Sequence, residues 1–361
     1  MNILHLSPTH PRTYVGGGER YALSLAKAQA ELPHLSVRFV SFGEQASEYT
    51  DGPLGIQILE PDYWARSNLI NPVSWQLASH IIASDVVHVH QRQTLLNDMA
   101  VIAAKVLHRP VFVTDLGGGA ESLGVTSPLT EMVDGYLCIS SFAAALRPAR
   151  EDQIHIIGAG VDFSRFYRPP DAVREGYFLF VGRLLPHKGV NYLIQAVVTH
   201  RLKVVGQPYD AQYRQALAEL AAGKSVEFVD TASDDDLRVQ YRGAYATILP
   251  SVYKDMYGNR YDNPELFGLV LAESMACGTP VICTSVGALP ELVEDGRTGF
   301  IVPPNDPKAL AERMCAFVEQ PDLADTMGAA AYETIRQRCS WRAVAMRCLA
   351  AYRRHLSRAS A

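Results

Sequence analysis

The residues best suited to chemistry lie in two short stretches of the second half of this chain. In PELFGLVLAESMACGTPVI, residues 264–282, two carboxylates, Glu265 and Glu273, bracket an apolar run. Leu269, Val270, Leu271, Met275 and Ala276 predict an amphipathic helix from about Phe267 to Ala276, closed by Gly278 and Pro280 and followed by a buried strand. Glu265 then stands in the loop ahead of the helix and Glu273 about two turns into it, so both can face one cleft at different depths. The unsatisfied N–H groups near Phe267, Gly268 and Leu269 offer a positive helix end to a phosphate, and Gly268 lets a ligand approach the backbone. Together these groups could hold a nucleotide-linked sugar by diphosphate, ribose and hexose. Taken singly, a glutamate before a helix commonly just complements the dipole, and one inside a helix is usually a solvated face residue.

The other stretch is GRLLPHKG, residues 182–189, directly after a predicted strand at Tyr177 to Val181. Gly182 opens the loop, and Arg183 and Lys188 can converge on one diphosphate, the first as a bidentate fork and the second as a point charge. Basic loop residues alone are commonly just solvated. Weaker candidates lie in the first half. Gly16, Gly17 and Gly18 separate a strand at Asn2 to Ser7 from a helix beginning at Glu19, which suits either a ligand-cradling loop or a flexible turn. In HVHQRQ, His90 is the histidine better placed to point toward a cleft, against a hydrogen-bonded structural role. In TDLGGGAES, Asp115 could contact an acceptor hydroxyl or a sugar, or cap the glycine turn after it.

Glu265, Phe267, Gly268, Glu273, Gly278, Thr279, Pro280, Val281 and Ile282 fall in an order that closely resembles the signature of retaining glycosyltransferases of family four. The likeness continues through VGALPELVEDGRTGFIVPPNDPKALAE, ending at Glu312, and GRLLPHKG is similar to that family's Gly-Arg-Leu…Lys-Gly motif. The resemblance implies an α/β protein of the GT-B fold: two Rossmann-like doubly wound domains facing across a cleft, with the C-terminal helix crossing back to the first. It implies that Arg183 and Lys188 neutralise the leaving nucleoside diphosphate in place of a metal ion. Glu273 would bind ribose hydroxyls and Glu265 hexose hydroxyls near the reacting carbon, while Gly16 and Gly17 would face the diphosphate or the acceptor. Many members carry a histidine two residues after a threonine like Thr114; Leu116 stands there, so that role is not transferred.

These groups need elements to position them. Strands at Ser36 to Phe42, Gly55 to Leu59, Asp85 to His90, Val111 to Asp115 and Tyr136 to Ile139 alternate with helical segments, as a mostly parallel sheet requires. Pro169-Pro170 reads as a linker, which divides the chain into 1–168, joined by a last helix at about 341–361, and 169–340. Strands at Leu202 to Val205, Ser225 to Val229 and Ala246 to Leu249 continue the second sheet. The segment VYKDMYGNRYDNP, ahead of Glu265, is longer than the family usually has there, and its tyrosines suit either sugar contacts or a self-packed loop.

With 361 residues, 48% of them apolar, the chain can bury two cores, and a net charge of −5 gives no sign of a nucleic-acid partner. Six cysteines without a C-x-x-C pair read as buried thiols in a reducing compartment. With no signal peptide and no membrane span expected, the reading is a cytoplasmic protein, at most peripherally associated with a membrane. The expected activity is transfer of a hexose from a nucleoside diphosphate sugar to an unidentified hydroxyl acceptor, with no metal or other cofactor. Rival readings are a nucleotide-sugar epimerase or phosphorylase on the same fold, an inactive sugar-nucleotide-binding protein and, ranked last for want of a G-x-G-x-x-G loop, a nicotinamide oxidoreductase.

Overall fold

The computed structural model of the chain describes residues 1–11, 17–116, 129–147, 149–170 and 172–359. It divides into two compact units, Met1–Gly160 with Trp341–Ala361, and Val161–Ser340. The division falls ahead of the expected 168/169 boundary for a physical reason. Val161 and Phe166 are buried in the second core, and the Val161 N–H donates to the Cys339 carbonyl at 2.8 Å.

In the first unit the strands run β1 (Asn2–Leu6), β2 (Ser36–Phe42), β3 (Ser47–Asp51), β4 (Leu54–Leu59), then a separate two-stranded ribbon, β5 (Tyr63–Trp64) with β6 (Pro72–Val73), then β7 (Val86–His90), β8 (Val111–Thr114), β9 (Gly135–Cys138) and β10 (Ile154–Ile156). Among the described residues the main sheet has eight strands in the order β10-β9-β8-β7-β1-β2-β4-β3. Its pairings are parallel except at the edge, where β3 runs antiparallel to β4. Runs such as VVHVH and VFVT are buried along their whole length, as a sheet covered on both faces demands. The polar β3 sequence SEYTD gave no strand signal, and its side chains are largely exposed.

The second unit holds a six-stranded parallel sheet in the order β13-β12-β11-β14-β15-β16, built from β11 (Tyr177–Val181), β12 (Arg201–Val205), β13 (Val226–Val229), β14 (Ala244–Leu249), β15 (Val281–Thr284) and β16 (Gly299–Val302). Both units are thus doubly wound. In the first, successive crossovers leave β1 and β7 in opposite directions; in the second, the corresponding neighbours are β11 and β14. In such sheets ligands bind beyond the carboxyl ends of the two strands at this switch point.

The closing helix, Trp341–Ala359, belongs to the first unit, in line with the expected crossing back. Val344, Ala345, Cys348, Leu349 and Tyr352 recur at helical spacing and are buried. Trp341 lies flat on Gly160, where an added Cβ would sit 2.3 Å from the indole ring, so only glycine fits. Arg347 turns inward and donates from Nε to the Ile157 carbonyl at 2.6 Å.

Tyr352 ends this helix's apolar stripe in a buried polar chain. Its hydroxyl donates to His88 Nδ1 at 2.8 Å and accepts from the Gln29 amide at 3.4 Å. His88 Nε2 meets Thr114 Oγ1 at 2.7 Å, His5 Nε2 meets Gln29 Oε1 at 2.9 Å, and His5 Nδ1 meets His90 Nε2 at 2.9 Å. With the Gln29 amide oriented as observed, the protons run one way: His90 donates to His5, His5 to Gln29, Gln29 to Tyr352, Tyr352 to His88 and His88 to Thr114. Every imidazole in this chain is neutral. Burial is the leading cause in each case, holding His5 down at about 4 and His88 and His90 well below their ordinary value.

Two predictions follow from this chain of bonds. Tyr352→Phe leaves His88 Nδ1 buried without its donor and should lower the unfolding free energy by about 1–3 kcal/mol in urea titrations; an unchanged midpoint contradicts the network's role. Because the folded histidines bind protons less readily than in the unfolded chain, their stability is fully present above about pH 6.5 and is lost as pH falls toward 4. For His5 alone the loss approaches about 3 kcal/mol at pH 4. Trp64, Trp75 and Trp341 all lie in the first unit, so tryptophan-monitored unfolding at pH 8, 6 and 5 reads this unit. A flat stability profile would refute the claim.

Candidate functional site

The second unit gathers most of the expected residues at its switch point. The loop after β11 carries Lys188, and the loop after β14 carries Ser251 and, past the long insert, Glu265. Lys188 Nζ donates to Glu265 Oε1 in a close ion pair, and Ser251 Oγ donates to the same oxygen at 2.9 Å. The Glu265 carboxylate is almost wholly buried and Lys188 nearly so. A buried pair of this kind is costly to break on one side, because the charge left behind is then unpaired. Glu265 and Lys188, expected on different parts of a donor, therefore hold one another in this structure. A ligand anion arriving at Lys188 would compete directly with Glu265.

Arg183 is not part of that pair. Its side chain is exposed, and its guanidinium lies 5.7 Å from the centre of the Tyr209 ring, which follows β12. Gly182 caps the end of β11 through its N–H to the Val205 carbonyl at 3.0 Å.

The helix after Glu265 spans Leu269–Ala276, two residues shorter at its start than expected, with Gly268 as N-cap at φ +91°. Glycine is required there by the fold itself, since that φ is left-handed and an added Cβ would meet Leu289 Cδ2 at 2.7 Å. The first N–H groups of this helix lack intrahelical acceptors and no side chain caps them, which leaves a positive end beside the Lys188–Glu265 pair's loop. Phe267 packs partly buried against the core. Glu273 lies within the helix and accepts a hydrogen bond from Tyr241 Oη at 2.9 Å. Burial, reinforced by the Glu273 charge, raises the Tyr241 hydroxyl well above its usual range, so it stays a donor that fixes the carboxylate.

The long insert is a self-packed loop braced against the site. Asp255, 3% exposed, accepts from the Tyr257 and Asn259 N–H groups at 2.9 Å each, from Asn259 Nδ2 at 3.0 Å and from Tyr261 Oη at 2.9 Å. The Tyr261 ring rests 4.9 Å from that of His187, beside Lys188, and Tyr253 Oη accepts from the Gly287 N–H at 2.8 Å. Burial and then the Lys188 charge push His187 down to about 4, so it is neutral at ordinary pH.

In the first unit the expected residues fare differently. His90, a candidate for a sugar or acceptor contact, is fully buried and bonded to His5, so it belongs to the core rather than to an open surface. Gly16 lies outside the described residues; Gly17 is exposed at the start of the first helix, Gly17–Ala30. Asp115 accepts from Arg147 Nη1 at 2.5 Å and lies 3.9 Å from Arg92 Nε, partners that no local pattern could assign. Ser251, Tyr241, Arg92 and Arg147 were not among the expected site residues. Of these, only Ser251 and Arg92 carried a usable signal, their position at a strand's carboxyl end.

A family model described as "Glycosyl transferases group 1" matches residues 167–334, most of the second unit. An alpha-maltose-1-phosphate synthase of Mycolicibacterium smegmatis is 30% identical across 75% of this chain and 79% of its own length. A D-inositol 3-phosphate glycosyltransferase of Streptomyces scabiei is 33% identical across 51% of this chain, and the match spans 45% of that protein, about half its length. Among solved structures, a sucrose-phosphate synthase of Thermosynechococcus elongatus aligns over 99% of both chains with a TM-score of 0.75 at 22% identity. HepE of Anabaena, solved with UDP and glucose, aligns over 97% of this chain and 98% of its own with a TM-score of 0.71 at 17% identity. These structural likenesses place the fold in the GT-B class. With its second-unit motifs and a relative similar over most of its length, the chain belongs to the group 1 glycosyl transferases.

Proposed function

We propose that this chain transfers a hexose from a nucleoside diphosphate sugar to an acceptor hydroxyl, retaining the anomeric configuration and using no metal ion. The observation that carries the reading is the convergence, at the second unit's switch point, of Lys188, Glu265 and Ser251 with the uncapped helix end at Gly268. The relatives, named as an alpha-maltose-1-phosphate synthase and a D-inositol 3-phosphate glycosyltransferase, support the same class of chemistry.

In this reading the helix end and Lys188 bind the diphosphate, with Arg183 reaching its outer oxygens. Their charge is fixed before reaction and grows more favourable as the leaving phosphate becomes more negative. Glu273, held by Tyr241, accepts ribose hydroxyls, while Glu265, released from Lys188 as the phosphate takes its place, accepts hexose hydroxyls. The bond between the anomeric carbon and the phosphate oxygen breaks with its electron pair leaving on the diphosphate. The acceptor oxygen bonds to the same face of that carbon, and its proton passes to the departing phosphate oxygen. The acceptor is assigned to the first unit, whose switch point is lined by the residues after β1 and β7.

The test is a thermal-shift series in EDTA with UDP, GDP, ADP and their glucose conjugates. One base should raise the melting temperature of the wild type, and Lys188→Ala or Glu273→Ala should weaken that nucleotide's binding at least about tenfold. Failure of every nucleotide to stabilise the folded wild type overturns the reading. A shift that disappears in EDTA and returns with magnesium overturns its metal-free part. Product anomeric configuration, read by NMR from the donor that binds, should match that of the donor.

A further inference from the structure

A second polar cluster stands at the carboxyl end of the first sheet, and the transferase reading leaves it without a role. Arg92 follows β7 at the switch point, one residue after Gln91, whose φ of +77° is a left-handed backbone that side chains rarely adopt. Backbone strain of this kind gathers where a loop is held for use, and Gln91 is held at both ends. Its N–H donates to the Thr114 carbonyl at 2.9 Å, and its carbonyl accepts from Thr94 Oγ1 at 3.1 Å.

Arg92 Nε and Nη1 are buried, and neither has a hydrogen-bond partner among the described residues. Asp115 Oδ2 is 3.9 Å from Nε, beyond hydrogen-bond reach, and is already taken by Arg147 at 2.5 Å. The Arg147 side chain is 6% exposed. Two guanidinium groups thus share one carboxylate. Among the described residues, Glu19 is engaged by Thr9 Oγ1 at 3.3 Å, and Asp98, in the first turn of the helix after Arg92, accepts from Asn97 Nδ2 at 3.4 Å. A buried guanidinium with idle N–H groups is unstable as it stands and becomes favourable when an oxyanion accepts from them, above all in the two-pronged geometry that Arg offers.

We propose that this edge is an anion subsite for the acceptor: Arg92 binds a phosphate or carboxylate carried by the acceptor, and Asp115 anchors Arg147 beside it as a fixed second positive charge. The inference rests on the transferase reading for the word acceptor, but the anion site stands on the cluster itself. It makes the substrate class a sugar or polyol bearing an anionic group. Asp115 is a positioning residue in this account, acting through Arg147.

Isothermal calorimetry on the whole chain with glucose 1-phosphate, glucuronate and glucose tests it. The wild type should bind one or both of the anionic sugars at least tenfold more tightly than glucose. Arg92→Gln should remove that preference at an unchanged melting temperature, and Arg92→Lys should restore part of it. Binding of the anionic sugar should persist with a saturating nucleotide present, since the nucleotide site belongs to the other unit. Equal binding of glucose and its phosphate by the wild type overturns the inference. So does a folded Arg92→Gln that binds the phosphate as the wild type does, or displacement of the anionic sugar by the nucleotide. The nucleotide thermal shift is read on the same Arg92→Gln protein. Its absence in both wild type and variant would count against the donor reading, whereas loss of anion binding alone counts only against Arg92.

Discussion

A parallel strand can be followed by its neighbour only through a crossover, and that constraint decides where everything chemical in this protein sits. Each crossover returns the chain to the amino end of the sheet, so all the loops leaving the carboxyl ends lie on one edge. In the second unit the crossovers after β11 and β14 part in opposite directions and leave a gap there, where Lys188 from one loop meets Ser251 and Glu265 from the other. In the first, β1 and β7 do the same, with Arg92 just after β7 and Asp115 just after the neighbouring β8. The apolar runs that make the strands are interchangeable between many proteins; the residues one or two places beyond their ends are not.

The two edges are charged in different ways, and the difference sorts their roles. At the second unit's edge Lys188 is paired with Glu265, so these two charges offset one another until a ligand separates them. A ligand with both an anion for Lys188 and hydroxyls for Glu265 replaces each partner, whereas a simple anion satisfies only one and strands the other. Selectivity for a sugar joined to a phosphate is therefore inherent in the pair. At the first unit's edge Arg92 and Arg147 both face Asp115, and among the described residues the buried Nε and Nη1 of Arg92 have no acceptor.

What could be read from the sequence follows the distance between partners. The carboxylate pair, the helix between them and the basic loop were legible because each is a contiguous string whose periodicity and turn residues specify a local structure. Ser233 shows the same locality: its side chain and that of Asp236 cap one another across a single turn. Tyr241 with Glu273 and Arg147 with Asp115 were not legible, because each pair joins elements about thirty residues apart and no periodicity links them. Gly268 shows a structural need that its sequence setting did not reveal. A ligand's approach was inferred where a left-handed φ and the Leu289 side chain already require glycine. The domain boundary moved for a related cause, since Pro169-Pro170 marks a turn, whereas the apolar Val161 and Phe166 before it decide which core the chain joins.

His5, His88 and His90 bring ligand-type nitrogens within 4.8 Å of one another, a spacing a metal ion could use. The bonds they make argue for another purpose. Both nitrogens of His88 and both of His5 are already committed, to Tyr352, Thr114, Gln29 and His90. A dication would have to break several of those bonds inside a core where the three-histidine group includes no carboxylate to offset its charge. The same bonds, left intact, tie β1, β7, β8 and the first helix to Tyr352, a residue that enters this unit from the far end of the chain. The polar chain thus makes folding of the first unit depend on the closing helix. A truncated first half, lacking Tyr352, would expose His88 and Gln29 with their partners missing.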